Sequence, residues 1–210
     1  MVPQTSPLSA KEERLVDGRR FAAVTWTVGS AVGVLWTVLG TVLALVGTAG
    51  FGLLYALTHG RASVVLQGAV IIPVSLVGLV LIALLFALHE LIHGLAMRAF
   101  GARPTYGATL LGRALPVFYT TAEGHRFTRA QFVVVALAPL VTVSLLGGLL
   151  VTLVPATGWL VVPLGIHLGG CIGDLWLTGL TLLQPRGTLV EDHKTGVVLL
   201  RPLPEARPAS

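Results

Sequence analysis

Long runs without a charged side chain are the feature of this sequence that most restricts its fold. The four runs cover residues 21–58, 62–88, 130–173 and 175–185. Because about 20 consecutive apolar residues cross the hydrocarbon core of a bilayer as a helix, these runs hold at least four spans. The hydrophobic content of 54% and the charged content of 11% are typical of a membrane protein and exclude an ordinary soluble domain.

We therefore predict an all-α polytopic membrane protein with about four transmembrane helices. The predicted spans are roughly residues 22–46, 66–97, 131–153 and 159–183. Residues 1–20 are expected to form a cytoplasmic N-terminal segment without a removable signal peptide, residues 21–185 the membrane-embedded domain, and residues 186–210 a cytoplasmic tail. A single cysteine, Cys171, excludes an intrachain disulfide.

The basic residues predict the orientation, because the first apolar run is ambiguous. Its 38 residues allow one span followed by an interfacial or re-entrant segment, or a tight hairpin broken between Gly47 and Gly50. A single span places 13 of the 14 lysines and arginines on one side and only Arg61 on the other, as the positive-inside rule requires. We expect an integral plasma (inner) membrane protein with both termini cytoplasmic. The net charge of +5 then reflects this orientation and not nucleic-acid binding.

The second apolar run leads into a metal-binding motif, His89-Glu90-Leu91-Ile92-His93. Residues four apart share a helix face, so both imidazoles can bind one Zn²⁺ while Glu90 activates a zinc-bound water. The alternative is a hydrogen-bonded histidine pair in the core or between helices. His89 lies nine residues before Arg98, about 13 Å along a helix, which predicts a site in the inner leaflet that water reaches from the cytoplasm.

A catalytic zinc usually has three protein ligands, and Asp174 is the candidate for the third. It is the only charged residue between Arg129 and Arg186, within a predicted span where an unpaired carboxylate is costly. An interhelical hydrogen bond or a salt bridge is the alternative. Glycines at four-residue spacing precede it and predict a close approach of two helices. They are Gly165, Gly169 and Gly173.

His167 precedes Asp174 by two helical turns and shares its face. Three roles stay open for it: donor to a substrate carbonyl or oxyanion, orienting partner of a ligand, or ordinary buried polar residue. Cys171 is expected to be a small buried hydrophobe. The remaining histidines are expected to take no part in the metal site: His59, His125 and His193.

A β-hairpin is predicted between the second and third spans, at the cytoplasmic face. Residues 105–110 and 114–120 have strand-like composition and flank Leu111-Gly112-Arg113. Pro116 restricts the second strand to an edge. Such an edge, carrying Tyr106 and Tyr119, is a candidate site for holding an extended substrate by strand addition, and a simple surface loop is the alternative.

The motifs together resemble the site-2 protease superfamily of intramembrane zinc metalloproteases, and most closely a small family of zincin peptidases defined by a domain of unknown function. The segments that carry the resemblance are His89 to Gly94, Ala138-Pro139, Gly173-Asp174-Leu175 and Val190 to His193. It covers roughly residues 65 to 200 and implies His89, His93 and Asp174 as zinc ligands with Glu90 as catalytic acid/base. The chain has no PDZ-sized insertion, and Cys171-Ile172-Gly173-Asp174 replaces the Asn-Pro-Asp-Gly type of ligand motif.

The predicted function is that of an intramembrane zinc metalloprotease that hydrolyses a peptide bond in or next to the bilayer. Its partners would be the lipid bilayer and a membrane protein or peptide substrate. Two alternatives remain: a zinc hydrolase acting on a lipid amide or ester, and a non-catalytic metal-binding protein or transporter. Glu90 favours catalysis, because a structural or transport site gains nothing evident from that carboxylate.

Overall fold

The computed structural model describes residues 8–60, 68–111, 115–194 and 196–204. Within these ranges the chain forms five α-helices: α1 (Ser30–His59), α2 (Gly68–Ala99), α3 (Arg129–Leu153), α4 (Val161–Gly170) and α5 (Ile172–Leu182). A short 3₁₀ helix, Pro155–Leu160, precedes α4. The same ranges contain seven strands: β1 (Leu8–Val16), β2 (Arg19–Thr27), β3 (Thr105–Leu111), β4 (Leu115–Thr121), β5 (Arg126–Thr128), β6 (Leu189–His193) and β7 (Gly196–Pro202).

The chain divides into two compact units. The first, which we call the sheet unit, consists of Met1–Gly33, Gly94–Ala136 and Trp176–Ser210. The second, the helical unit, consists of Val34–His93 and Leu137–Leu175.

In the described part of the chain, four helical segments are long and apolar enough to cross a membrane: Ser30–His59, Ser75–Ala99, Arg129–Leu153 and Pro155–Leu182. Their outer faces expose large hydrophobic side chains, such as Leu45, Leu84 and Leu145. Contiguous apolar surface of this kind is suited to lipid, since it would be unfavourable in water.

The first helix begins eight residues later than the predicted span and ends later as well. It runs without a break from Ser30 to His59, through Gly47 and Gly50, so the described residues contain no tight hairpin in this run. The predicted span included Ala22 to Thr27, which instead belong to β2. Arg61, which the orientation argument places outside, lies beyond the described residues.

Glycines let α4 lie close to α1 within the helical unit. A Cβ at Gly169 would overlap the carbonyl oxygen of Gly40, and one at Gly165 would overlap the Thr48 hydroxyl. A Cβ at Gly173 would be 3.4 Å from the Trp36 ring. The predicted close helix contact is present, but these glycines face α1 and not the histidine-bearing α2.

The all-α prediction is wrong, because the sheet unit contains a five-stranded antiparallel sheet in the order β1-β2-β7-β6-β5. The fold is therefore mixed α/β. The β1–β2 hairpin turns at Asp17 and Gly18, with φ angles of 48° and 75°, as a two-residue turn of the Asp-Gly type requires. Phe21 and Ala23 of β2 share a buried cluster with Leu200 of β7.

Two of these strands, β6 and β7, lie in the segment that the sequence analysis treats as a tail. Strand β7 pairs antiparallel with β2, with Val24 opposite Leu199. Pairing between strands so distant along the chain leaves little signal in the local sequence, because the stability of each strand depends on side chains of the other segment. Residues 205–210, at the end of that segment, lie outside the described residues.

The predicted hairpin between the second and third spans is present as a separate two-stranded sheet of β3 and β4. Its register pairs Thr105 with Thr121 and Leu111 with Leu115. The predicted turn at Gly112 and Arg113 lies outside the described residues. Pro116 is in β4, opposite Leu110, as expected for a strand that is not in the centre of a sheet.

Candidate metal centre

The two histidines of the motif lie on one face of α2 in the helical unit, as their spacing predicts. Their Nε2 atoms are 3.1 Å apart, and the ring planes meet edge to face with centroids 4.7 Å apart. His89 is 5% exposed. Two imidazole nitrogens held this close and out of water require either a shared proton or a cation between them.

Asp174 reaches both histidines from the first turn of α5. Its Oδ2 is 3.3 Å from Nε2 of His89, and its Oδ1 is 3.3 Å from Nε2 of His93. The three residues offer one ligand atom each, all within 4.8 Å of one another. The structure thus brings together the three residues predicted as ligands, and their binding of metal remains a prediction.

The break between α4 and α5 places the carboxylate. Helix α4 ends at Gly170, and the backbone N–H of Cys171 donates to carbonyl groups of the preceding turn. Helix α5 then starts at Ile172, so Asp174 lies at a helix N-terminus, where the macrodipole stabilises a carboxylate. The apolar pattern of residues 159–183 predicts one continuous span here, without a break.

The donor set fits zinc. Tetrahedral ligands at about 2.0–2.1 Å from zinc are about 3.3–3.4 Å from one another, and the three donor pairs here are separated by 3.1, 3.3 and 3.3 Å. Two imidazoles and a carboxylate are also borderline ligands that zinc accepts, and three protein ligands leave one position open.

His167 lies behind His89. Its Nε2 is 3.1 Å from His89 Nδ1, the ring nitrogen that does not face Asp174, and it is 1% exposed. If His89 holds a metal through Nε2, its Nδ1 carries the proton and donates it to His167. Of the roles left open by the sequence, this geometry favours orientation of a ligand over contact with substrate.

Cys171 belongs to a second group that could hold a metal, with His89 and His167. Its Sγ is 3.9 Å from His89 Nδ1, and the thiol donates to the backbone oxygen of His167 at 3.3 Å. The sequence analysis treats Cys171 as a plain buried side chain. The four-residue spacing from His167 to Cys171 was the available signal, since it repeats the spacing of His89 and His93.

Glu90 follows His89 on α2 and is rotated by about 100° around the helix axis from it. Its side chain is half-buried in the helical unit. Glu90 is therefore the carboxylate that could transfer protons at this site, since it is next to His89 in the sequence.

The two tyrosines singled out in the sequence are not part of the helical unit. Tyr106 and Tyr119 belong to the sheet unit, where Tyr106 is 46% exposed and Lys194 Nζ lies 5.8 Å from the centre of the Tyr119 ring. A Cβ at Gly94 would overlap the Tyr106 hydroxyl, so this glycine makes room for the tyrosine.

The three histidines expected outside the metal site have other contacts. His59 Nε2 is 3.0 Å from the carbonyl oxygen of Val151, and the His125 ring packs against Phe127. His193 belongs to β6.

A His-Glu-x-x-His helix face completed by a carboxylate from another helix defines the class of the site: a set of residues that could hold a metal in the way that hydrolases use. Comparison with protein families agrees. The chain belongs to the family described as "Putative zincin peptidase", whose model matches residues 82–189, just over half of the chain. This membership supports a metallopeptidase. No curated protein and no solved structure matches the chain.

Proposed function

We propose that this protein is a membrane zinc metalloendopeptidase that cleaves a peptide bond of a membrane protein or peptide, in or next to the bilayer. One observation carries the proposal. Donor atoms of His89, His93 and Asp174 lie 3.1–3.3 Å apart, at the spacing of zinc ligands, beside a glutamate in the zincin motif. Family membership supports the peptidase activity.

The five-stranded sheet supports the membrane orientation. Its strands come from the N-terminal segment, from the connection between the second and third candidate spans, and from the C-terminal segment. A bilayer cannot pass through a hydrogen-bonded sheet, so these three segments must share one side. The same three segments hold 13 of the 14 basic residues, which supports the cytoplasm as that side under the positive-inside rule.

Zinc, when bound, supplies a Lewis acid that acidifies water and polarises the scissile carbonyl. Glu90 takes a proton from the attacking water and passes it to the leaving amine. Asp174 contributes a negative charge to the ligand set, and His167 accepts the Nδ1 proton of His89, which fixes the tautomer and ring orientation of that ligand.

The β3–β4 hairpin supplies a place for the substrate. Helical peptides hide their carbonyl groups in internal hydrogen bonds, so a substrate must be extended before it is hydrolysed. In the described residues β3 and β4 pair only with each other, which leaves each with an outer edge that can receive an extended segment. Tyr106 and Tyr119 are on these strands and would contact its side chains.

The experiment that tests this function compares Glu90→Gln with a matched control, Glu123→Gln, in an exposed turn. Quantitative membrane proteomics should show an uncut precursor that accumulates with Glu90→Gln and not with the control. Purified Glu90→Gln should keep its zinc, measured by elemental mass spectrometry, while hydrolysis falls by about 10²–10⁴-fold or more. His93→Ala should lose both metal and activity. Near-normal turnover by zinc-loaded Glu90→Gln would refute the catalytic role of Glu90.

A second candidate function is metal binding or transport without hydrolysis. The observation that favours it is the second group of His89, His167 and Cys171, which shares His89 with the first. A metal could then pass from one group to the other. Under this function Glu90→Gln would leave every phenotype unchanged, whereas Cys171→Ser would alter metal uptake into vesicles.

A further inference from the structure

A cavity in the sheet unit combines two arginines with an apolar wall. It has a volume of about 680 Å³ and lies between the start of α3, the end of α5 and the connection into β6. Arg129 and Arg186 line it, together with Val133, Val134 and Leu182. Val134 and Leu182 are each 53% exposed, so the apolar wall opens outward.

The polar end of this cavity is suited to an anion. Arg129 Nη2 donates to the carbonyl oxygen of Leu182 at 2.8 Å, which holds the guanidinium at the cavity. Among the described residues, neither Arg129 nor Arg186 pairs with a carboxylate. Two guanidinium groups without acidic partners leave a local positive charge that phosphate can neutralise.

The start of α3 adds backbone donors. Thr128 and Gln131 form a reciprocal capping box, in which each side chain accepts from the backbone N–H of the other, at 3.3 and 2.9 Å. Arg129 and Ala130, between them, line the cavity, and the first-turn N–H groups of a helix have no intrahelical acceptor. A helix of 25 residues also carries positive potential at this end.

We propose that this cavity binds an anionic phospholipid. The phosphate would contact Arg129 and Arg186, and the acyl chains would lie along Val134 and Leu182. Both helix ends belong to candidate spans, so the arginines would lie where lipid headgroups lie. The apolar wall favours a lipid over free phosphate, because phosphate has no apolar part to contact that wall. The proposal depends on the membrane placement above but not on metal or catalysis.

The test measures lipid binding to the full-length protein in neutral detergent by native mass spectrometry. Phosphatidylglycerol and phosphatidylcholine with identical acyl chains are titrated separately. We expect at least about tenfold tighter binding of phosphatidylglycerol, and about 30-fold weaker binding of that lipid after Arg129→Gln with Arg186→Gln. The matched control, Arg98→Gln with Arg103→Gln, removes the same charge from exposed positions outside the cavity and should change binding by less than about twofold.

Three results would overturn the proposal: equal affinity for the two lipids, equal loss in the control pair, or displacement of phosphatidylglycerol by millimolar inorganic phosphate. The last would mean an anion site without lipid recognition. If the double variant does not fold, Arg186→Gln alone, at an exposed position, should weaken binding about fivefold, and unchanged binding would overturn the proposal as well. Metal content and hydrolysis do not enter the assay, so its failure leaves the peptidase proposal unaffected.

Discussion

Replacing His167 with phenylalanine tests whether this side chain positions a metal ligand. His89 has two ring nitrogens with different neighbours: Nε2 lies 3.3 Å from Asp174, and Nδ1 lies 3.1 Å from His167. A metal on Nε2 leaves the proton of neutral His89 on Nδ1. Phenylalanine keeps a ring at position 167 but accepts no hydrogen bond.

The magnitude follows from the burial of His89, which is 5% exposed. In the metal-bound variant its Nδ1–H loses its acceptor, and a buried unsatisfied donor costs about 1–3 kcal/mol. In the metal-free variant the proton can move to Nε2, which faces Asp174, so the cost falls on the bound state. The zinc dissociation constant should therefore rise about 5- to 150-fold, comparable with the 10- to 100-fold effect of removing partners of ligating histidines.

The assay is a zinc titration of the full-length protein in detergent against a competing fluorescent chelator. His167→Gln is the matched variant, because its amide oxygen can accept the hydrogen bond and should recover most of the lost affinity. Thermal unfolding of both metal-free variants separates loss of folding from loss of binding. Wild-type zinc affinity in His167→Phe, or equal affinity of the two variants at equal metal-free stability, would refute the positioning role.

Two further predictions concern helix packing and orientation. Gly169→Ala places a Cβ against the Gly40 carbonyl oxygen and 2.7 Å from Ala44 Cβ, so it should lower the unfolding temperature by roughly 2–12 °C. Gly179→Ala is the control, because open space surrounds that position, and it should leave the unfolding temperature unchanged. Equal shifts in the two variants would contradict this packing. For the orientation, Ala156→Cys and Glu123→Cys are each made in a Cys171→Ser background, since both positions are exposed. A membrane-impermeant thiol reagent added to intact cells should label the cysteine at position 156 and not the one at position 123. The reverse labelling pattern would invert the topology.

The charges and the sheet group the same three segments of the chain. From the sequence alone, 13 basic residues are predicted to lie on one side of the membrane. The pairing of β2 with β7, and of β5 with β6, independently requires the segments that carry these strands to lie on one side of a membrane. The reason is that hydrogen-bonded strands cannot lie on opposite sides of a bilayer. The hairpin alternative for the first apolar run would have separated β2 from β7.

The sequence by itself determined the features that depend on neighbouring residues. The lengths of the apolar runs specify four helices that can cross a membrane, because span length follows from bilayer thickness. The spacing of His89 and His93 places both on one helix face, because an α-helix repeats every 3.6 residues. The β3–β4 hairpin also has a local pattern, with two short strand-like segments around a turn.

Only the tertiary structure decided the features that depend on distant contacts. The Asp17-Gly18 turn is a strong local hairpin signal, but β1 and β2 gain their buried face through β7, more than 160 residues later along the chain. Asp174 was expected near the histidines, yet its approach depends on the break at Cys171 between α4 and α5. The position of His167 behind His89 was likewise undetermined, because helical periodicity specifies a face but not the neighbour that the face meets.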